Sequence, residues 1–333
     1  MYSWSGLRSL LLISIICFTL PFVSALSDGQ PVIYSIVHLS DTQNLATRYP
    51  DTYNLTFSYL DSIKEPNNIS AIIITGDLVN TWNSRKEWDM YSRARNHTTI
   101  PVYTIAGNHD AASGKNYEYY SLHTGEPEVN YVSSVGDFDF VGINYADRTL
   151  PSGEFSRLRE TLTRSSRSNA IIATHYYMDD DGKLSPLGED IDKNLIVKPS
   201  LVLMGHMHAD FIRLRTVGGF PVIADMTNYQ DGVSGGTTGR DYSAGILYNV
   251  TSVNGQVETI TARVIQIYPT PSYQEEKTVF SREPDTSSAA GMAMVTGTPS
   301  PASPLSSCSN GDLFCMLDEI FQQSWTNIRH VFL

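Results

Sequence analysis

The sequence predicts an α/β fold in which two packed mixed β-sheets are flanked by helices, all within one domain. Three observations predict it. Short β-branched apolar runs alternate with stretches of helical character from Pro31 to about Ile267, an order that lays helices against sheets. A long hairpin pattern closes that region, adding antiparallel strands to the β-α-β units. Polar motifs stand where the apolar runs end, on the loops where ligands gather in sheets of this kind.

Each element follows from its residues. Val32–Leu39, Ala71–Ile74, Val102–Ile105, Ala170–Thr174 and Leu201–Met204 are apolar runs of strand length and read as buried strands. Between them, Thr52–Ile63, Glu87–Asn96 and Glu154–Thr163 read as helices, the first and third with apolar residues at helical spacing. Asp137–Asn144 and Phe211–Arg215 read as further strands. Ser243–Ile267 reads as a hairpin around Asn254-Gly255, a favoured two-residue turn pair.

The flanks differ in composition. Arg8 precedes an apolar run from Leu10 to Val23, and Val23-Ser24-Ala25 offers the small residues a signal peptidase reads, so residues 1–25 read as a cleaved secretory signal peptide. The expectation is a secreted chain with no stable membrane anchor after cleavage. Residues 26–270 form the domain, and 271–310 a Ser/Thr/Pro-rich linker too poor in apolar surface to order itself. Residues 311–333 read as a short amphipathic helix capped by Asp312, with Leu313, Leu317, Phe321 and Ile328 on one face.

With 333 residues, 41% of them hydrophobic, the chain can bury a sizeable core. Its formal charge of −12 becomes −13 when Arg8 leaves with the signal, which excludes long-range attraction to nucleic acid backbones. Cys17 leaves as well, and Cys308 and Cys315 most simply pair as a disulfide in an oxidising compartment. Glycosylation sequons start at Asn54, Asn68, Asn96 and Asn249.

Short motifs carry the chemistry: Asp41-Thr42-Gln43, Gly76-Asp77, Gly107-Asn108-His109-Asp110, His175, and Gly205-His206-Met207-His208. Residues two apart at a strand end point the same way, so Asp41 with Gln43, and His206 with His208, can each converge on one centre. Asp, Asn and His together suit borderline divalent metals. Each motif alone has an ordinary explanation: a turn residue, a tight Gly-Asn turn, a solvated histidine pair or a hydrogen-bonded core histidine. Their joint occurrence after apolar runs, in this order, has none. His38, His97, His123 and His330 lie outside the pattern and read as structural.

This ordered set resembles the calcineurin-like metallophosphoesterase superfamily, which includes purple acid phosphatases, acid sphingomyelinases and cyclic-nucleotide phosphodiesterases. The resemblance covers about Val32 to Ile267 and implies facing β-sheets flanked by helices. It also implies two divalent or trivalent metal ions, Zn, Mn or Fe. Asp41, Gln43, Asp77 and His208 would hold the first, and Asp77 would bridge to a second held by Asn108, His175 and His206. His109, next to Asn108, would serve the substrate as general acid or as a donor to a phosphate oxygen. Two metals about 3.5–4 Å apart neutralise phosphate charge and generate a hydroxide nucleophile near neutral pH. The implied activity is hydrolysis of a small phosphate mono- or diester, the monoester slightly favoured.

The chain departs from the family pattern at two places. Gln43 stands where the family usually has His, and Asn80 where it often has an acidic residue supporting the catalytic histidine. Asn80 can orient His109 but cannot balance its charge. Between two of the ligand positions, Met178–Asp192 carries Asp179, Asp180, Asp181, Glu189, Asp190 and Asp192, which form either an acidic rim or a solvated loop. Gly235–Arg240 is a glycine-rich loop from which Arg240 would bind phosphate. Competing readings are a diesterase acting on nucleotides or lipid head groups, and a non-catalytic surface glycoprotein that binds a phosphorylated ligand.

Overall fold

The structure is a computed structural model that describes residues 29–282, apart from 113–115, 128–129, 145–154, 165–168, 180, 196–197, 208–212, 218–219 and 225–242. The expected signal peptide, the C-terminal helix, the Cys308–Cys315 pair, His208, His330 and Arg240 lie outside the described residues.

In chain order the elements are β1 (Val32–Leu39), α1 (Gln43–Arg48), α2 (Pro50–Ser62), α3 (Lys64–Asn67), β2 (Ile69–Ile74), α4 (Arg85–Arg95), β3 (Val102–Thr104), α5 (Glu118–Thr124), β4 (Tyr131–Val135) and β5 (Phe138–Ile143). There follow α6 (Phe155–Arg164), β6 (Ala170–Thr174), α7 (Pro186–Asn194), β7 (Leu201–Met204), β8 (Arg213–Val217), β9 (Phe220–Ala224), β10 (Ser243–Val253), β11 (Gln256–Tyr268), β12 (Ser272–Tyr273) and β13 (Lys277–Ser281). One sheet runs β12-β11-β10-β1-β2-β3 with β13 also on β11, and the other runs β4-β5-β6-β7-β9-β8. Parallel β5–β6–β7–β9 form the centre of the second sheet between antiparallel β4 and β8, whereas parallel β1–β2–β3 end the first sheet at β3, with antiparallel β10 beside β1. This is the predicted pair of mixed sheets flanked by helices.

Alternation along the strands explains the layers. On β1 and β2, Ile36, Ala71 and Ile73 enter a core with Phe140, Ile171 and Leu203 of the second sheet, so that core lies between the sheets. Their neighbours Val37, Leu39, Ile72 and Ile74 face the other way, against Phe57, Trp88 and Tyr91 of α2 and α4. On the far side, Ile172, Val202 and Met204 pack with Leu158 of α6 and Leu187 and Ile191 of α7. Strands covered on both faces read as near-continuous apolar runs, and the buried polar residues that interrupt β1 are bonded, Ser35 Oγ donating to Asn67 O at 2.7 Å and His38 reaching Thr75 Oγ1. Full burial of a residue such as Ile73 stabilises the fold by roughly 1.5–3 kcal/mol.

The predicted hairpin forms around Asn254 and Gly255, both at positive φ (53° and 74°) as a type I′ turn demands. The linker boundary requires correction. Lys277–Ser281 and Ser272–Tyr273 pair with β11, so the sheet continues into the stretch read as linker, and its backbone groups are satisfied there. A second correction concerns Met178–Asp192. Its C-terminal part is helix, because Ser185 caps it by accepting from Gly188 N at 2.9 Å and Pro186 pre-sets the first turn. Glu189 pairs with Lys193 at 3.0 Å and Asp181 with Lys183 at 2.7 Å, so cations partly offset this acidic stretch.

Candidate active site

The motif residues sit just beyond the C-terminal ends of β1, β2, β3, β6 and β7, and so come from both sheets. Asp41, Asp77 and His206 all adopt the left-handed region, with φ of 53°, 53° and 66°. For non-glycine residues this is uncommon and costs about 1–3 kcal/mol each, a strain that persists only where surrounding contacts impose it. Here the contacts are specific. Asp41 N donates to Gly76 O at 3.0 Å, and His206 N donates to Asp41 Oδ2 at 3.2 Å. His109 N donates to Asp77 Oδ1 at 3.0 Å. Two glycines let the loops meet: a Cβ on Gly107 would lie 2.1 Å from Asp77 Oδ1, and one on Gly205 2.5 Å from Asp41 Oδ2.

His175 is the hub. Its Nδ1 donates to the Thr75 carbonyl at 2.7 Å, which leaves Nε2 as the nitrogen that would coordinate a metal once its proton is displaced. Around Nε2 stand Asn108 Oδ1 at 3.2 Å, His206 Nδ1 at 3.2 Å and Asp77 Oδ1 at 3.5 Å. Ligand atoms of Asp41, Asp77 and His175 lie within 4.8 Å of one another, and all three residues are buried. Gln43, at the start of α1, donates through Nε2 to Asp77 Oδ2 at 3.4 Å, while its buried Oε1 has no hydrogen-bond partner. An orphaned amide oxygen beside two carboxylates, with ring nitrogens turned toward each other, is a donor set that fits a cation. Asp41, Asp77 and His175 can hold a metal.

Electrostatics agree. Burial alone would lower the His175 pKa, but Asp77 and then Asp41 outweigh it and push it up to about 10. Burial would raise Asp77, yet His175 and His109 hold it down to about 2. Asp41 is pushed up to about 7 by burial, with Asp77 adding to the rise and His175 opposing it. Anionic charge crowded into a buried pocket is the field a dication would relieve.

A family model described as calcineurin-like phosphoesterase matches residues 34–210, more than half of the chain. The chain belongs to the calcineurin-like phosphoesterases, a family of metal-dependent hydrolases of phosphoric esters. The curated relative YvnB of Bacillus subtilis (strain 168), an uncharacterized protein, is 26% identical over 53% of this chain and 15% of its own length. The chain thus spans a small part of that relative. Among solved structures, purple acid phosphatase PPD1 from yellow lupin (Lupinus luteus) seeds superposes with a TM-score of 0.55 at 13% identity, over 76% of this chain and 54% of that one. GAP50, described as the anchor in the inner membrane complex of Plasmodium, superposes with a TM-score of 0.53 at 13% identity, over 81% of this chain and 99% of that one. Both likenesses concern the fold.

Within this phosphoesterase fold, the structure brings together Asp41, Gln43, Asp77, Asn108, His175 and His206. Half-buried His109 donates from Nδ1 to the backbone carbonyl of Asn80 at 2.8 Å. It is therefore the Asn80 carbonyl, and not the expected Asn80 side chain, that orients this ring. Two histidines outside the motifs, His38 and His123, are structural. Buried His38 bonds Thr75 Oγ1 at 2.8 Å, and His123 stacks on Trp88 at 5.4 Å. Of the sequon asparagines, Asn68 and Asn96 are exposed at the ends of α3 and α4. Asn54 and Asn249 are half-buried, and Asn249 donates to Glu276.

Sequence reasoning left Asp110 without a role. Fully buried, it accepts Leu78 N at 2.9 Å and Val79 N at 3.1 Å on Oδ1, and Gly107 N at 2.8 Å on Oδ2, tying the Asp77 loop to the Asn108 loop. Burial, reinforced by the charge of Asp77, raises its pKa well above the ordinary carboxyl range. Its place at the end of Gly-Asn-His-Asp was the available signal.

Proposed function

We propose that this chain is a secreted phosphoesterase that hydrolyses small phosphate esters, monoesters before diesters, with two metal ions drawn from Zn, Mn or Fe. The observation that supports it most is the convergence of Asn108, His206 and Asp77 on His175 Nε2 within 3.5 Å. Those residues would hold the second ion; Asp41, Gln43, Asp77 and His208 would hold the first. Bound there, the ions neutralise phosphate charge and lower the pKa of water from 15.7 toward about 7. Asp77, the one carboxylate common to both sets, keeps the ligand loops together through His109 N.

His109 serves the substrate. Its bond to the Asn80 carbonyl fixes the Nδ1–H form, so Nε2 accepts in the neutral ring and donates in the charged one. Donation to a leaving alkoxide contributes roughly 10²–10⁴-fold. The acidic chain disfavours nucleic acid as a partner. Among the described residues no helix is long and apolar enough to cross a membrane. Secretion rests on the apolar leader, with Asn68 and Asn96 as exposed glycan acceptors.

Asp77→Asn tests the reading. We expect loss of turnover on nitrophenyl phosphate and a lower metal content by elemental analysis. Wild-type activity and metal content in that variant would overturn the two-metal assignment. Full metal content in a wild-type protein inert toward mono- and diesters would favour the ligand-binding glycoprotein instead.

A further inference from the structure

Helix α4 begins with Ser84-Arg85-Lys86-Glu87, the sequence of a capping box. Half of the box forms: Ser84 is extended (φ −77°, ψ 94°) and its hydroxyl accepts Glu87 N at 3.4 Å. The other half does not. In a closed box the glutamate returns to the N–H of the capping serine, but here Ser84 N donates to Thr81 O at 2.9 Å. The Glu87 carboxyl goes elsewhere, with Oε2 accepting both Asn80 N at 2.8 Å and Thr81 N at 3.0 Å. Glu87 is 8% exposed, so the accepting carboxyl is buried beneath the exposed Asn80 and Thr81. Trp88, the next residue, donates from Nε1 to Trp82 O at 2.7 Å. Upstream, Asp110 holds Leu78 N and Val79 N. Every backbone amide from Leu78 to Thr81 is thereby held by a buried carboxyl group, and the carbonyl within this clamp, that of Asn80, is the one that receives His109 Nδ1.

We propose that Glu87 is a positioning residue for the phosphoesterase reaction: its carboxyl fixes the Asn80 carbonyl, which sets the tautomer and orientation of His109. The proposal rests on the phosphoesterase reading. It assigns to a backbone carbonyl, braced from a helix, the orienting role that the Asn80 side chain was expected to fill. The brace requires an acceptor oxygen at the length of Glu, so Glu87→Gln fulfils it and Glu87→Met does not.

Two readouts test this on the full chain. In the metal-free protein, imidazole ¹⁵N spectra assigned by a His109→Gln reference report the tautomer. Wild type and Glu87→Gln should show His109 as the Nδ1–H form, and Glu87→Met should mix in the Nε2–H form. In the metal-loaded protein, Glu87→Met should lower kcat on an alkyl phosphate by about 10- to 100-fold, the scale of a misplaced catalytic group. The loss on nitrophenyl phosphate, whose leaving group needs no proton, should be far smaller, and Glu87→Gln should restore the wild-type ratio. If Glu87→Met does not fold, Glu87→Asp carries the test, since one methylene less withdraws the oxygen from both amides. An unchanged tautomer together with an unchanged rate ratio in the folded variant overturns the proposal. A wild-type protein inert toward both esters would overturn the phosphoesterase reading instead, and the tautomer would still decide the brace.

Discussion

At the scale of single residues, Gln43 decides how the first metal position behaves. Its Oε1 is buried without a hydrogen-bond partner, a state that costs about 1–3 kcal/mol unless something else satisfies it. A neutral amide oxygen binds borderline metals more weakly than imidazole nitrogen. Calorimetric titration with Zn²⁺ should give one tight and one weak site, and Gln43→His should tighten the weak one. Equal affinities in both proteins would remove Gln43 from the ligand set. The same titration has a defined pH trend. The His175 pKa is raised, so its pairing with Asp77 stabilises the metal-free fold below pH 6.5 and is lost as pH climbs through about 10. A metal must displace that proton, so affinity should rise with pH across this window and loading should release protons.

At the scale of elements, the ligand loops depend on close backbone approach. Gly107→Ala places a Cβ 2.1 Å from Asp77 Oδ1 and 2.4 Å from Asp77 N, and no side-chain rotamer relieves the contact with the backbone nitrogen. We expect a loss of about 1–3 kcal/mol in urea unfolding and reduced metal content. A variant with unchanged stability and metal content would show that the two loops part readily enough to admit a methyl group. Elements with both faces buried were legible in the sequence, because β2, β6 and β7 are nearly continuous apolar runs and β1 is interrupted only by Ser35 and His38. Less legible was β9, where Pro221 argues against a strand. Its pairing with β7 begins only at Val222, so the missing N–H costs no ladder bond on that side. Short α1 has no periodicity to read, since Gln43 and Asn44 on its buried side are polar. The ligand residues could be read from motif order. Their left-handed backbone, and the backbone amides that the Asp110 and Glu87 carboxyl groups hold, are features that motif order does not display.

At the scale of the whole molecule, the two sheets are fastened at the end away from the ligand loops. Asn169, just before β6, donates from Nδ2 to Gly255 O at 2.9 Å and accepts Arg282 Nη2 on Oδ1 at 2.9 Å. Arg282 also donates from Nε to Val257 O at 3.1 Å. A chain ending at Arg282 should keep the melting temperature of the full chain, whereas one ending at Tyr268 loses β12, β13 and the Arg282 bonds, keeping only the Asn169–Gly255 contact of this fastening. Each hydrogen bond lost costs about 1 kcal/mol net, and each kcal/mol lowers the melting temperature by roughly 2–4 °C at this size. Differential scanning calorimetry of the two chains checks it; equal melting temperatures would return the boundary to residue 270, where the sequence placed it.

The order of strands also has a consequence for biosynthesis. Strand β1 is the first of the described strands to leave the ribosome, finds β2 soon after, and takes β10 on its other edge, from Val32↔Ser252 to His38↔Ile246. About 200 residues separate these partners, and at about 5–20 residues per second the nascent chain waits roughly 10–40 s for the second one. Through that interval an apolar strand presents unpaired backbone groups, the kind of edge that recruits other chains. Folding yield should therefore depend on holding chaperones during synthesis far more than the stability of the finished molecule does.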